Sequence, residues 1–166
     1  MLKFNGRCFF LDDNFVTADT LQLYTDASGS LGYGAVFQKS WFSGVWDVSW
    51  SDVNITVKEL YPIVVAIAIW GNKLENKSVC FNCDNEALVY LLNKHTSKEP
   101  KIMYLVRRLV LFALKYNILF TAKHLPGRVN ILSDALSRLQ VSKFGALMAE
   151  ADQQPAPIPP LPILPD

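Results

Sequence analysis

The chain has 166 residues, 51% hydrophobic and 19% charged, which supplies apolar material for one packed domain and excludes a disordered or fibrous protein over most of its length. Sixteen basic against fifteen acidic residues leave a net charge of +1. That excludes a domain that grips nucleic acid by charge alone, but not one that meets phosphate through bound cations.

Three cysteines (Cys8, Cys80 and Cys83) are too few for a disulfide framework and fit a reducing, intracellular compartment. Cys80-x-x-Cys83 has no second pair and no nearby histidine, so it reads as buried strand rather than as zinc ligands. The longest unbroken apolar run, Leu60 to Trp70, falls short of the ~20 residues that span a bilayer. The N-terminus carries Asp12 and Asp13 and no small-residue cleavage site. The expectation is a soluble protein with no signal peptide and no membrane partner.

In chain order, residues 1–20 show no clear period and fit either a strand or the remnant of a preceding domain. LQLYTDAS alternates, with Leu21, Leu23, Thr25 and Ala27 on one face and Gln22, Tyr24 and Asp26 on the other, as a half-buried strand does. Ser28-Gly29-Ser30 is turn chemistry, LGYGAVFQ the return strand, and WFSGVWDVSW a third strand of an antiparallel meander. ITVKELYPIVVAIAIWGNKL is apolar nearly all round, as a helix through the middle of a domain would be. Pro62 would clash with the carbonyl four residues back, which predicts regular helix from Lys58 or Glu59 and places Glu59 in its first turn.

SVCFNCD reads as a fourth strand ending at Asp84, NEALVYLLNK as a short helix and KIMYLVRRLVLFALKYN as a long one. ILFTAKH reads as a fifth strand, broken by Pro126-Gly127, and NILSDALSRL as the start of a last helix. The predicted domain spans 21–140. Residues 141–166 form an extension whose six prolines between Pro155 and Pro165 predict an extended tail outside the core.

The topology by itself gathers a site. If the first strand runs up, the meander returns the third strand up, and a right-handed crossover through the buried helix makes the fourth strand parallel to the first. The sheet order is then 3-2-1-4-5, a mixed five-stranded α/β sheet flanked by helices. Asp26, Glu59, Asp84 and Asp134 meet at the carboxyl ends of its strands, where open α/β sheets place ligands. Each acid alone reads equally well as a turn residue, a helix-start acid, a cap or a surface group. Four together repel unless cations neutralise them, and a divalent-metal site follows.

With these residues in place, the chain resembles the ribonuclease H domain of retroelement reverse transcriptases. The resemblance rests on YTDASGSLGYGAVF, ITVKELYPIVVAI, FNCDNEALVYLLNK and, most specifically, AKHLPGRVNILSDALSR. The last is similar to an H-x-P-G-x-x-N-x-x-x-D-x-L-S-R pattern of Gypsy-like and DIRS-like elements. TSK, IMYLVRRLVL and LQVSKF make the tyrosine-recombinase, DIRS-like group the most similar. The resemblance implies a ribonuclease H-like fold and two-metal hydrolysis of the RNA strand of RNA–DNA hybrids, leaving 3′-hydroxyl and 5′-phosphate ends.

It also implies roles. Asp26 would bridge two Mg²⁺ ions (or Mn²⁺), Asp134 would join it on the ion that activates water, and Glu59 and Asp84 would hold the ion at the leaving oxygen. His124, ten residues before Asp134, would assist proton transfer or product release, a task suited to imidazole. Asn85 would meet the RNA 2′-hydroxyl, with Ser28, Lys123 and Arg128 as further nucleic-acid contacts. Partners would be the hybrid and a reverse transcriptase polymerase domain, in cis or in trans, with the isolated domain monomeric.

Two departures stand out. Thr56 occupies the position where such domains usually carry Gln, and the six-residue linker 95–100 has no room for a basic extra helix. The main alternative is a non-catalytic, connection-type or nucleic-acid-binding domain of the same fold, which typically loses the carboxylates. A transposase or resolvase on this fold does not match the H-L-P-G segment, and Pro159-x-x-Pro162 reads as linker rather than as an interaction motif.

Overall fold

Alternating side chains along Leu21–Ala27 settle which face of the sheet each residue serves, and the rest of the architecture follows from that strand. The computed structural model describes residues 20–160; the expectations for residues 1–19 and for the last six residues lie outside them. The elements are β1 (Leu21–Ala27), β2 (Gly32–Phe37), β3 (Ser40–Val45), a 3₁₀ turn (Val48–Trp50), α1 (Ile55–Leu74), β4 (Ser78–Cys83), α2 (Glu86–Lys94), α3 (Pro100–Tyr116), β5 (Leu119–His124), α4 (Ile131–Ser137) and α5 (Val141–Leu147). They form one sheet in the order β3-β2-β1-β4-β5. β1 is antiparallel to β2 and parallel to β4, and β4 is parallel to β5, as the crossover rule requires.

Two cores result. Leu23 and Ala27 of β1, with Val79, Phe81 and Cys83 of β4, face α1 and belong to the main core. α1 is long and apolar enough by length and composition to cross a membrane, yet most of it is buried against the sheet and α3. On the opposite face, Val36 and Trp41 pack against Ala135 and Leu136 of α4 and Phe144 of α5. α4 comes this close because Gly34 lies beneath it: a Cβ there would stand 2.4 Å from that of Leu136. Cys80 and Cys83 are buried in β4 on opposite faces, as strand residues of odd separation must be.

Two expectations are corrected. α1 begins at Ile55, not at Lys58 or Glu59. Asn54 caps it, its Oδ1 accepting from the Thr56 and Val57 N–H groups at 2.7 and 3.3 Å, and this supports a first turn ahead of Pro62. Proline removes only one N–H from the helix, so Glu59 stands in the second turn.

The described part of the proline-rich stretch, through Pro160, does not lie outside the core. Asp152 N–H donates to the Lys39 carbonyl (2.9 Å), and Ala156 N–H to the Trp41 carbonyl (2.7 Å), along the outer edge of β3. The Trp41 indole N–H returns a bond to the Asp152 carbonyl at 2.7 Å, and Ala156 and Ile158 pack against the main core. Proline withholds N–H groups only at its own positions, so Ala156, between Pro155 and Pro157, keeps the donor that the Trp41 carbonyl accepts from. The tail thereby covers an otherwise open sheet edge.

Candidate metal centre

The carboxyl ends of β1 and β4 and the second turn of α1 converge on three acids. Asp26 is the penultimate residue of β1, Asp84 the residue just past β4, and Glu59 projects from α1 between them. One carboxylate oxygen from each lies within 4.8 Å of the others. Asp26 and Glu59 are each 5% exposed, while Asp84 opens to solvent. The cluster is thus a cup with two buried walls and one wet lip.

Its electrostatics are unfavourable as they stand. Burial pushes the Asp26 carboxyl up to about 6, against the Ser137 hydroxyl, which lowers it; the charges of Asp84 and Asp134 add to the rise. Burial pushes Glu59 up to about 9, reinforced by Asp26 and Asp84 and partly offset by the Ala27 N–H. Glu59 Oε2 is fully buried without a hydrogen-bond partner. An orphaned carboxylate oxygen beside two further carboxylates is a poor hydrogen-bond site and a good site for a hard divalent cation, which takes oxygen ligands and supplies the missing charge. The donor set fits Mg²⁺ or Mn²⁺.

Ser137 holds Asp26, its hydroxyl 2.6 Å from Asp26 Oδ2 and wholly buried. The sheet grips the end of α4 in turn: the Ser28 hydroxyl donates to the Ser137 carbonyl (3.0 Å) and the Ser43 hydroxyl to the Leu136 carbonyl (2.8 Å). Ser137 is the serine of the D-x-L-S-R pattern, but its role appears only once Gly34 lets α4 settle on β2. Asn130, also buried, donates to the Thr25 carbonyl (3.0 Å) and ties the start of α4 to β1.

The other expected site residues fall around this cup. Asp134 is near enough to Asp26 to raise it electrostatically, yet its carboxylate pairs with Arg138 Nε at 3.0 Å and stands apart from the three-acid cluster. His124, half-buried at the end of β5, has Nδ1 3.6 Å from Glu86 Oε1. The Asn85 Oδ1 caps α2 by accepting from the Leu88 N–H (3.0 Å). The Ser28 hydroxyl is engaged in its own turn, accepting from Leu31 and Gly32. Lys123 and Arg128 are exposed. Gly127, between them and the cup, has Asp84 Oδ2 only 3.0 Å from where a Cβ would stand.

A mixed sheet in the order 3-2-1-4-5, flanked by helices and carrying acids at these strand ends, defines the ribonuclease H-like class of α/β folds. No protein-family model matches the sequence, and no curated protein is significantly similar to it. Solved structures do match. LC11-RNase H1 in complex with an RNA/DNA hybrid superposes with a TM-score of 0.56 at 20% identity, over 77% of this chain and 99% of that one. RNase H1 from the halophilic archaeon Halobacterium salinarum gives 0.53 at 14% identity, over 74% and 98%. The N-terminal RNase H domain of a Mycobacterium tuberculosis protein gives 0.51 at 14%, over 75% and 98%. At these identities the likeness is one of fold, and the chain has a ribonuclease H-like fold.

Proposed function

We propose that this chain is a metal-dependent nuclease that hydrolyses the RNA strand of RNA–DNA hybrids, working within retroelement reverse transcription. The observation that carries the reading is the cluster of Asp26, Glu59 and Asp84, with its orphaned Glu59 oxygen, at the strand ends of this fold. A connection-type domain with no chemistry to perform has no use for buried acids that cost stability. The LC11-RNase H1 structure holds an RNA/DNA hybrid, which makes the hybrid the first substrate to try, and the retroelement setting rests on the HLPGRVNILSDALSR resemblance.

Asp26, Glu59 and Asp84 would hold the cations, with Asp134 joining Asp26 once its carboxylate leaves Arg138. Bound divalent cations supply Lewis-acid polarisation of a phosphoryl oxygen and neutralise charge at the attacking and leaving oxygens of an in-line displacement. The protein's part is positional. Ser137 fixes one Asp26 oxygen and leaves the other for the centre; the buried walls exclude water from two sides. His124 lies at the end of the neighbouring strand, where an imidazole can take or give a proton at the rim.

The test is cleavage by the purified chain, with Mg²⁺ or Mn²⁺, of a hybrid labelled on each strand, beside single-stranded RNA, duplex RNA and duplex DNA. The expected result is cuts in the RNA strand of the hybrid alone, with 3′-hydroxyl and 5′-phosphate ends, abolished by chelation. Metal-dependent binding of hybrid without any cleavage would favour the connection-type alternative.

A further inference from the structure

Beside the metal centre, a cavity of about 300 Å³ opens between the Gly29–Ser30 turn and the Val48–Trp50 turn, with Ser51 and Lys58 among its lining residues. We propose that it is a nucleic-acid subsite, taking one backbone phosphodiester of the bound hybrid against Lys58 and the adjoining sugar or base against Trp50. The inference rests on the hybrid-nuclease reading and extends it to residues outside the carboxylate cup.

Lys58 is the reason. Lysine stems usually carry their ammonium out to water, yet this side chain is only 4% exposed. Its Nζ donates to the Gly29 carbonyl, and no carboxylate lies within ion-pairing distance of it among the described residues. It also stands in the first turn of α1, where the helix already presents positive partial charge. A buried cation with no counter-ion, placed at the wrong end of a helix, is unfavourable unless an anion completes it. An ammonium has three donors and Gly29 uses one.

The surroundings match a nucleotide. Asp47, the acid of this wall, is exposed to solvent, which screens its charge, and its Oδ1 accepts from both the Ser49 N–H (2.9 Å) and the Ser49 hydroxyl. The Ser30 and Ser51 side chains add hydroxyls at the mouth. Trp50 is braced from behind by Trp46 and Tyr61, with ring centroids 4.5 and 4.7 Å away, and Val48 is 89% exposed. A half-buried indole held rigid next to a cation is the combination by which single nucleic-acid strands are held without reading sequence. Lys58 adjoins Glu59 on α1, so the proposed subsite and the carboxylate cup share one helix end.

The experiment measures hybrid binding by fluorescence anisotropy, with Ca²⁺ in place of Mg²⁺, across a salt series. The wild-type chain is compared with Lys58→Met, Lys58→Arg and Ser51→Glu, and melting and steady-state cleavage are recorded for each. Lys58→Met is expected to weaken binding about five- to tenfold at low salt and to flatten the slope of log K against log salt by about 0.9, the loss of one phosphate contact. Lys58→Arg should retain most of the affinity. Ser51→Glu, an exposed change that places a negative charge at the mouth, should weaken binding several-fold and raise KM with little change in kcat. If Lys58→Met does not fold, Ser51→Glu decides. Wild-type affinity and slope in the folded variants, while the wild-type chain cuts hybrid, would overturn the subsite and leave the nuclease reading standing. A wild-type chain that neither binds nor cuts hybrid would overturn both.

Discussion

Replacing Glu59 by Gln should make the cation-free protein more stable while removing its activity. The Glu59 carboxyl has an ordinary value of 4.5, and in the folded chain burial pushes it up to about 9. Below pH 4.5 both folded and unfolded chains carry the proton, and no penalty arises. Between the two values the unfolded chain releases a proton that the folded chain keeps, so stability falls by about 1.4 kcal/mol for each pH unit. Above pH 9 the loss levels off. At pH 7 the chain has crossed two and a half pH units, for a ceiling of about 3 kcal/mol, reduced by whatever water reaches the cup.

Gln keeps the volume and discards the ionisation. For a chain of this size the gain corresponds to a rise of roughly 5–10 °C in Tm at pH 7 in EDTA. The assay is thermal unfolding of both proteins in EDTA from pH 5 to 9. Wild-type Tm should fall with pH while that of the Gln variant falls less steeply, and saturating Mg²⁺ should close the gap by stabilising only the protein that binds it. Cation affinity should also rise with pH, because binding must displace the Glu59 proton. A wild-type Tm that is flat across this range in EDTA, or a Gln variant that melts earlier at pH 8, would refute the reasoning.

Three further outcomes are expected. Asp26→Asn should lower hybrid cleavage by several orders of magnitude with the fold intact, as judged by circular dichroism and Tm; near-normal metal-dependent activity would remove Asp26 from the site. Gly34→Ala should cost several kcal/mol and also lower cleavage, because a Cβ 2.4 Å from that of Leu136 must lift α4 and draw Ser137 from Asp26; calorimetry beside a cleavage assay reads both. Deleting residues 149–166 should lower Tm by about 5–10 °C, since it strips the Trp41 indole and carbonyl of partners and unpacks Ile158; an unchanged Tm would show that the β3 edge needs no cover.

The sheet order and the meeting of Asp26, Glu59 and Asp84 were legible because they depend on period and handedness, which a single sequence carries. Period two placed Asp26 opposite Leu23 and Thr25, and one crossover brought Asp84 beside it. What escaped was whatever depended on close contact between distant segments. Ser137 stands in the D-x-L-S-R pattern, but that it holds Asp26 shows only when α4 is seated over Gly34. The pairing of the Asp134 carboxylate with the Arg138 guanidinium four residues on is another contact that period and handedness do not show. The proline penalty alone predicts a later start for α1, and the Asn54 cap offsets it. A count of prolines predicts a tail outside the core, whereas Ala156 between two of them keeps the N–H that bonds the β3 edge.

The covering of β3 sets a timetable for the making of the molecule. The three strands of the meander leave the ribosome before α4 and α5, which among the described residues supply the cover for Tyr24, Val36 and Trp41 on their second face. The groups that shelter them, Leu136, Phe144 and the Asp152 carbonyl, are about 100 residues further along the chain; the Trp41–Asp152 bond alone spans 111 positions. During that interval the meander lacks the described partners of both its aromatic face and its strand edge, the two features that most invite pairing with another nascent chain. Closing such distant contacts is also slow. The turns of α4 and α5 therefore decide whether the meander that precedes them stays single.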